Sequence, residues 1–137
     1  MKKRILLIED DPDILAIVST VLTEEDFEVT GIAGTNDIIS TVEGCKPNIV
    51  ITDFFMPGFL PGGQICMWIK QNKHLAHLPV ILMSAYPKSV IGVGKFPYDA
   101  YLKKPFDIDH LIKVVKNLLL QTGDIEDTSG MRPKLTT

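Results

Sequence analysis

Four apolar runs in this chain each end at a polar residue. The runs are residues 5–8, followed by Glu9 and Asp10; residues 49–52, followed by Asp53; residues 80–83, followed by Ser84; and residues 100–102, followed by Lys103 and Lys104. Short apolar runs of this kind are typical of strands in a parallel sheet that is covered on both faces. Because the carboxyl ends of such strands form the binding crevice of the sheet, the sequence predicts two acids, a hydroxyl and an ammonium at one edge.

The totals of the chain favour one ordinary globular domain. Its 137 residues suit a single core, and 45% apolar with 23% charged residues is usual for a soluble protein. The formal net charge of −3 gives no general attraction to nucleic acid or to a membrane, and we expect neither as a direct partner. The first apolar run is too short for a signal peptide, so we expect a cytoplasmic protein. Cys45 and Cys66 lack a C-x-x-C spacing and are expected to be reduced.

Strand and helix signals alternate along the chain. Strands are predicted at residues 4–8, 28–32, 49–53, 80–84 and 100–103, and helices at about residues 12–25, 35–44, 64–72 and 107–122. Asp11, Thr35 and Asp107 are the predicted N-caps, and Gly44 and Gly123 are the predicted stops. The second strand alternates in polarity as an edge strand does. The pattern predicts a doubly wound (βα)5 fold with right-handed crossovers.

The segment between Pro87 and Asp99 is the irregular part of this pattern. The alternation requires a fourth helix there, but the segment contains Gly92, Gly94 and Pro97. Glycine and proline both disfavour helix interiors, so we expect this helix to be short or irregular.

The acids at the predicted crevice are expected to converge. The first and third strands of a sheet of this kind lie side by side, which brings Glu9 and Asp10 close to Asp53. Three carboxylates within a few ångström repel one another unless a cation lies among them, and oxygen ligands suit Mg²⁺. An acidic run after a strand is by itself more typical of a helix N-terminus. Asp53 favours the ion site, because an acid that ends an apolar strand serves no packing purpose.

Asp53 also has the chemistry of a nucleophile towards a phosphoryl group, which would give an acyl phosphate. Lys104 would neutralise charge on the phosphoryl oxygens, and the Ser84 hydroxyl would hydrogen-bond one of them. Taken singly, a lysine before a proline is usually solvated and a strand-end serine is usually ordinary. The hypothesis therefore depends on all three residues meeting at one edge.

These residues, in this order, resemble a response-regulator receiver domain, the aspartate-phosphorylated module of two-component signalling. The resemblance covers about residues 3–121 and rests on Glu9-Asp10, Asp53 with Met56-Pro57, Ser84-Ala85, and residues 101–106. It implies a flavodoxin-like, chemotaxis-regulator-like sandwich with strand order 2-1-3-4-5. It also implies a phosphorylation switch that receives its phosphoryl group from a sensor histidine kinase or phosphotransfer protein. Such a switch signals to a downstream protein through the fourth helix, fifth strand and fifth helix.

The resemblance assigns the metal and phosphoryl sites. Asp53 becomes the phosphoacceptor, and the only catalysis expected is phosphoryl transfer to and hydrolysis from this residue. Mg²⁺, for which Mn²⁺ could substitute, would be bound by Asp10, by Asp53 and by the backbone carbonyl of Phe55. Glu9 would act on the metal through water.

The resemblance also assigns a switch. Ser84 would move towards the phosphoryl group. The bond between Lys104 and Pro105 is expected to be cis, which would direct the lysine towards that group. Tyr101 would turn inward when Ser84 moves. A surface aromatic of an ordinary strand explains Tyr101 equally well at this stage.

The chain departs from the family pattern near the site. The loop after Met56-Pro57 is one residue longer than usual. Phe55 and Tyr86 lie two residues after the phosphoacceptor and after the switch hydroxyl, positions that in the family flank the path of the hydrolytic water. We expect these aromatics to shield the acyl phosphate and lengthen its life. The irregular segment between the fourth and fifth strands implies an unusual partner surface.

Other interpretations stay open. A pseudo-receiver would bind a partner without phosphorylation. The predicted domain spans residues 1–122, and residues 123–137 resemble a disordered tail or a linker, so the chain also fits a receiver cut from a larger regulator. A haloacid-dehalogenase-type phosphatase would need D-x-D after the first strand, and a flavodoxin-like FMN carrier would need a phosphate loop there. We expect a monomer or a weak phosphorylation-dependent dimer.

Overall fold

A parallel sheet of five strands forms the centre of the computed structural model, which describes residues 2–86 and 96–123. The strands are β1 (Arg4–Ile8), β2 (Glu28–Ile32), β3 (Ile49–Asp53), β4 (Val80–Ser84) and β5 (Ala100–Lys103). Their order in the sheet is β2-β1-β3-β4-β5, and all four pairs are parallel. The predicted doubly wound fold and strand order are confirmed.

Helices cover both faces of this sheet. Within the described residues they are α1 (Pro12–Glu24), α2 (Ile38–Cys45), α3 (Gly62–Gln71) and α4 (Ile108–Gln121). One apolar cluster joins α1 and α4 to one face of the strands, and a second cluster joins α2 and α3 to the other face. The inner strands β3 and β4 are buried along their whole length, whereas the edge strand β2 is half exposed. Thr52 and Asp53, the polar residues at the end of β3, are therefore buried against apolar side chains.

Two of the three predicted caps are confirmed, and the third is wrong. Asp11 accepts a hydrogen bond from the backbone N–H of Asp13, and Asp107 caps α4 in the same way. The cap of α2 is Asp37, not Thr35, because the Asp37 carboxylate reaches the first turn of the helix whereas Thr35 accepts from the backbone N–H of Asp37 at 3.1 Å.

Two helix limits also differ from the sequence prediction. The α2 helix continues past Gly44 and ends at Cys45, and its C-cap is Lys46, whose φ of 49° is left-handed. The α3 helix begins at Gly62, two residues before the predicted start at Gln64. The first residue of this helix has to be glycine, because a Cβ at position 62 would overlap the backbone carbonyl of Asp53.

The irregular segment and the tail are tested only in part. The predicted short fourth helix lies outside the described residues, except that residues 96–99 lead into β5 without helical structure. The predicted tail beyond Gly123 also lies outside them. Cys45 and Cys66 are free thiols, as expected. Across residues 2–86 and 96–123, no helix is both long and apolar enough to span a membrane.

Candidate functional site

The register of the sheet places the four predicted strand ends side by side. Ile8 pairs with Thr52, so Glu9 and Asp53 follow neighbouring positions of β1 and β3. Ser84 pairs with Lys103, so Lys104 emerges beside the end of β4. The site therefore arises from register alone, because parallel strands direct their carboxyl ends to one edge.

Three carboxylates meet at this edge. Glu9, Asp10 and Asp53 each offer an oxygen, and these oxygens all lie within 4.8 Å of one another. Glu9 and Asp53 are buried, whereas Asp10 is exposed. The second Glu9 oxygen accepts a hydrogen bond from the backbone N–H of Asp11 at 3.2 Å, and Asp53 Oδ1 accepts one from Phe54 at 3.0 Å. The backbone thus holds the carboxylates of Glu9 and Asp53, and the carboxylate of Asp10 lies close to both.

Lys104 is the cation that the structure places against these acids. Its Nζ donates to Glu9 Oε1 and lies 3.3 Å from Asp53 Oδ2. Burial of the ammonium lowers its pKa, but the hydrogen bond to Glu9 and the charge of Asp53 outweigh burial, so the pKa is raised. Lys104 is therefore charged, and the bond to Pro105 that follows it is cis, as expected.

The electrostatic balance of the cluster is negative. Burial, and next the charge of Glu9, raise the pKa of Asp53 to about 7, although Lys104 opposes this. One ammonium does not compensate three acids at such short range. A divalent cation would lower that pKa again, and a set of carboxylate oxygens is the donor set that Mg²⁺ prefers. The residues present therefore fit a magnesium ion.

The predicted switch residues are connected through one backbone segment. Ser84 is buried, and its Oγ accepts a hydrogen bond from the backbone N–H of Tyr86 at 3.0 Å. The Tyr101 hydroxyl donates to the backbone carbonyl of the same Tyr86. The ring of Tyr101 is half-buried and packs on Tyr98 with centroids 5.8 Å apart. Ser84 and Tyr101 are therefore linked by hydrogen bonds to the backbone of residue 86.

The two aromatic residues expected to shield the site are largely exposed. Phe55 is 62% exposed and Tyr86 is 51% exposed, so neither is part of the core.

An apolar pocket of about 320 Å³ also opens at this edge, between α1 and the residues after β5. It is lined by Ile14, Ile17, Val18, Ala85, Lys104, Pro105, Phe106 and Ile108.

One positioning residue was missed from the sequence. The backbone N–H of Gly62 donates to the carbonyl of Phe54 at 2.8 Å, which closes the loop that follows the phosphoacceptor candidate Asp53. The ring of Phe54 packs edge-on against Phe96, with centroids 5.5 Å apart. The run Pro61-Gly62-Gly63 was visible, but a Pro- and Gly-rich stretch indicates a loop and does not reveal which backbone it must approach.

The fold and this cluster are those of a response-regulator receiver domain, and comparison with known proteins agrees. The sequence profile of the family described as response regulator receiver domain matches residues 5–116. The chain therefore belongs to that family, which is the receiver domain of two-component response regulators.

Individual relatives are similar in sequence and structure. The transcriptional regulatory protein GltR of Pseudomonas aeruginosa is 30% identical over 85% of this chain and 49% of its own length. The response regulator protein GraR of Staphylococcus saprophyticus is 31% identical over 79% of this chain and 47% of its own length. This chain thus spans about half the length of the curated relatives that it matches.

One similar solved structure is that of the response regulator protein TrrA of Thermotoga maritima in complex with Mg²⁺-BeF. Its TM-score is 0.75 and its sequence identity 29%, and the match covers 85% of this chain and 99% of that one. The receiver domain of a signal transduction histidine kinase from Syntrophus aciditrophicus has a TM-score of 0.79 over 94% of this chain and 96% of that one. Its identity is 24%, so it is evidence for the fold alone.

Proposed function

We propose that this receiver domain is a phosphorylation switch that accepts a phosphoryl group on Asp53. The observation that carries the proposal is the cluster at the carboxyl edge, where three carboxylates share one lysine. A carboxylate held beside an ammonium and a buried hydroxyl has both a nucleophile and the groups that stabilise a phosphoryl oxygen.

In the proposed reaction an Asp53 oxygen attacks the phosphorus of a phosphohistidine. A P–O bond forms as the P–N bond breaks, and the imidazole leaves with the electron pair. Lys104, already 3.3 Å from Asp53, donates to the incoming phosphoryl oxygens. Once the phosphoryl group is bound to Asp53, the Ser84 hydroxyl moves towards it and donates a hydrogen bond to one of its oxygens. The product is an acyl phosphate.

Asp10, Asp53 and the backbone carbonyl of Phe55 are the residues we propose to hold Mg²⁺, with Glu9 acting through water. The relative TrrA, solved in complex with Mg²⁺-BeF, supports this assignment. When bound, the ion supplies positive charge that keeps Asp53 ionised and neutralises the phosphoryl oxygens. Mn²⁺ has the same preference for oxygen ligands and is expected to substitute.

The proposed output follows the chain of hydrogen bonds from Ser84 through Tyr86 to Tyr101. When Ser84 moves to the phosphoryl group, the Tyr86 carbonyl shifts, and the Tyr101 ring rearranges on the surface formed by β5 and α4. The exposed rings of Phe55 and Tyr86 are proposed to hinder the hydrolytic water, so that the switch stays on for longer.

The proposed partners are a sensor histidine kinase or a phosphotransfer protein on the input side and a downstream protein on the output side. Several relatives, such as GltR, are named transcriptional regulators and are about twice as long as this chain. Those names support a receiver that acts within or alongside a longer regulator. We propose that the receiver unit ends near residue 122 and that the residues after it are a linker or tail.

The decisive experiment is phosphoryl transfer from a small donor. Wild type, Asp53→Asn and the matched control Asp99→Asn are incubated with Mg²⁺ and acetyl phosphate, and the intact masses are measured. We expect one phosphoryl adduct on wild type and on the Asp99 variant, and none on the Asp53 variant. No adduct on wild type at any Mg²⁺ or donor concentration would favour the pseudo-receiver instead.

A further inference from the structure

The loop after β3 is attached to the loop after β2 by two contacts that have no assigned role. The backbone N–H of Leu60 donates to the carbonyl of Thr35 at 3.0 Å. The ring of Phe59 lies directly against Gly34, where a Cβ would come within 2.8 Å of Phe59 Cβ and would overlap the ring itself. Gly34 does not have a left-handed φ, so the space for the ring is what requires glycine at this position.

The attached loop is the one that carries the Phe55 carbonyl. Its base is closed by the hydrogen bond from the Gly62 N–H to the Phe54 carbonyl at 2.8 Å. Its middle is a turn in which the Phe59 N–H donates to the carbonyl of the buried Met56 at 3.1 Å. Residue 55 lies between these two closures, so the position of its carbonyl depends on where the turn is held.

The loop after β2 is itself attached to the acidic loop. The backbone N–H of Glu9 donates to the carbonyl of Ile32, the last residue of β2, at 3.0 Å. The edge strand and the loop after it thus contact both halves of the proposed metal site, the acids after β1 and the carbonyl after β3.

We infer that Phe59 and Gly34 are positioning residues for the metal site, and that their contact fixes the Phe55 carbonyl in place before the cation arrives. This inference rests on the proposed function. Without the contact, the loop would have to be ordered at the moment of binding, and that loss of conformational freedom would weaken affinity for Mg²⁺.

The test measures Mg²⁺ affinity by titration calorimetry on the full chain. Phe59→Ala and Gly34→Ala should each raise the dissociation constant about tenfold, at the lower end of what supporting residues of metal sites contribute. Phe59→Tyr, which keeps the ring, should bind as wild type does. Trp68→Ala is the matched control, because Trp68 and Phe59 are both 39% exposed, and it should also bind normally.

The double variant Gly34→Ala/Phe59→Ala distinguishes a specific contact from general damage. Because the alanine at position 34 collides with the Phe59 ring, its effect should vanish once the ring is removed, and the double variant should match Phe59→Ala. Hydrogen exchange of the Leu60 amide, measured without metal, should be faster in Phe59→Ala and unchanged in Trp68→Ala.

Three results overturn the inference. Wild-type affinity in Phe59→Ala, with wild type itself binding Mg²⁺, would refute the positioning role and leave the proposed function intact. Additive losses in the double variant would show that the two residues act separately. A wild-type protein that binds no Mg²⁺ would refute the metal site and this inference together.

Discussion

Two lysines lie at opposite ends of the strands, Lys70 at the amino ends and Lys104 at the carboxyl ends. They differ in the number of carboxylates that surround them. Lys70, near the end of α3, pairs with Asp99 at 2.8 Å and donates to the carbonyl of Leu78 at 2.7 Å. Asp99 also accepts from the backbone N–H of Val80 at 2.7 Å. One ammonium faces one carboxylate here, and hydrogen bonds to the backbone complete the arrangement.

Lys104, at the carboxyl edge, is about as buried as Lys70, with side-chain exposures of 15% and 18%. It faces Glu9 and Asp53, and the carboxylate of Asp10 lies close to both acids. The balanced pair at the amino edge connects α3 to the starts of β4 and β5. The unbalanced cluster at the carboxyl edge holds excess negative charge, which is a cost to folding and a basis for binding a cation.

The largest expected effect separates the two lysines by function. Lys104→Met should slow phosphoryl uptake from acetyl phosphate about 100-fold, because it removes a donor to the phosphoryl oxygens. Lys70→Met should leave the rate within about twofold, yet lower the free energy of unfolding by about 1–2 kcal/mol, because Asp99 loses its partner. Mass spectrometry over time and urea unfolding measure the two quantities. Equal uptake rates in the two variants would contradict the comparison.

The next effect concerns the lifetime of the acyl phosphate. Phe55→Asn/Tyr86→Glu should shorten its half-life about tenfold, because polar side chains admit and orient the hydrolytic water. The decay of the phosphorylated mass after removal of the donor measures this. Trp68→Phe is a control at an exposed aromatic outside the site. A half-life in wild type no longer than in the double variant would exclude shielding.

The two edges should also respond oppositely to loss of an acid. The pKa of Asp53 is raised to about 7, so below about pH 4 the carboxyl is protonated in both folded and unfolded chains. Between about pH 4 and pH 7 the unfolded chain has ionised while the folded chain still holds the proton, so wild type loses stability over this interval. Asp53→Asn should therefore stabilise the protein by about 1–2 kcal/mol at pH 8 and by almost nothing at pH 4.

The matched variant at the amino edge is Asp99→Asn. It should destabilise the protein by about 1 kcal/mol at pH 8, because a balanced pair is broken. Urea unfolding of both variants at the two pH values checks the signs. Destabilisation by Asp53→Asn at pH 8 would show that the acids at the carboxyl edge are already compensated.

The smallest expected effect is on thermal stability in the presence of metal. Mg²⁺ at ten times its dissociation constant should raise the melting temperature of wild type by about 4 °C, because it binds the folded state alone. Asp10→Asn should lose this increase, and Asp99→Asn should keep it. Scanning calorimetry with and without Mg²⁺ measures the shift, and an equal shift in both variants would place the ion elsewhere.

Local pattern explains why most of the fold could be predicted. The apolar runs of β1, β3 and β4 are continuous because those strands are buried on both faces, and caps such as Asp11 act within one helical turn. Thr35 and Asp37 are both good cap residues, and only the path of the chain decided between them. The start of α3 was missed for the same reason, since Gly62 is required by the way the loop folds back onto the carbonyl of Asp53 at the end of β3.

The sequence by itself determined that acids, a hydroxyl and a lysine end the strands, because the length of an apolar run and its polar end are local properties. Tertiary structure alone decided that Lys104 pairs with Glu9 as well as Asp53 and that Phe59 packs on Gly34. It also decided that the pKa of Asp53 is raised to about 7. These contacts join residues far apart in the chain. Their strength depends on burial and distance, which no periodicity in the sequence encodes.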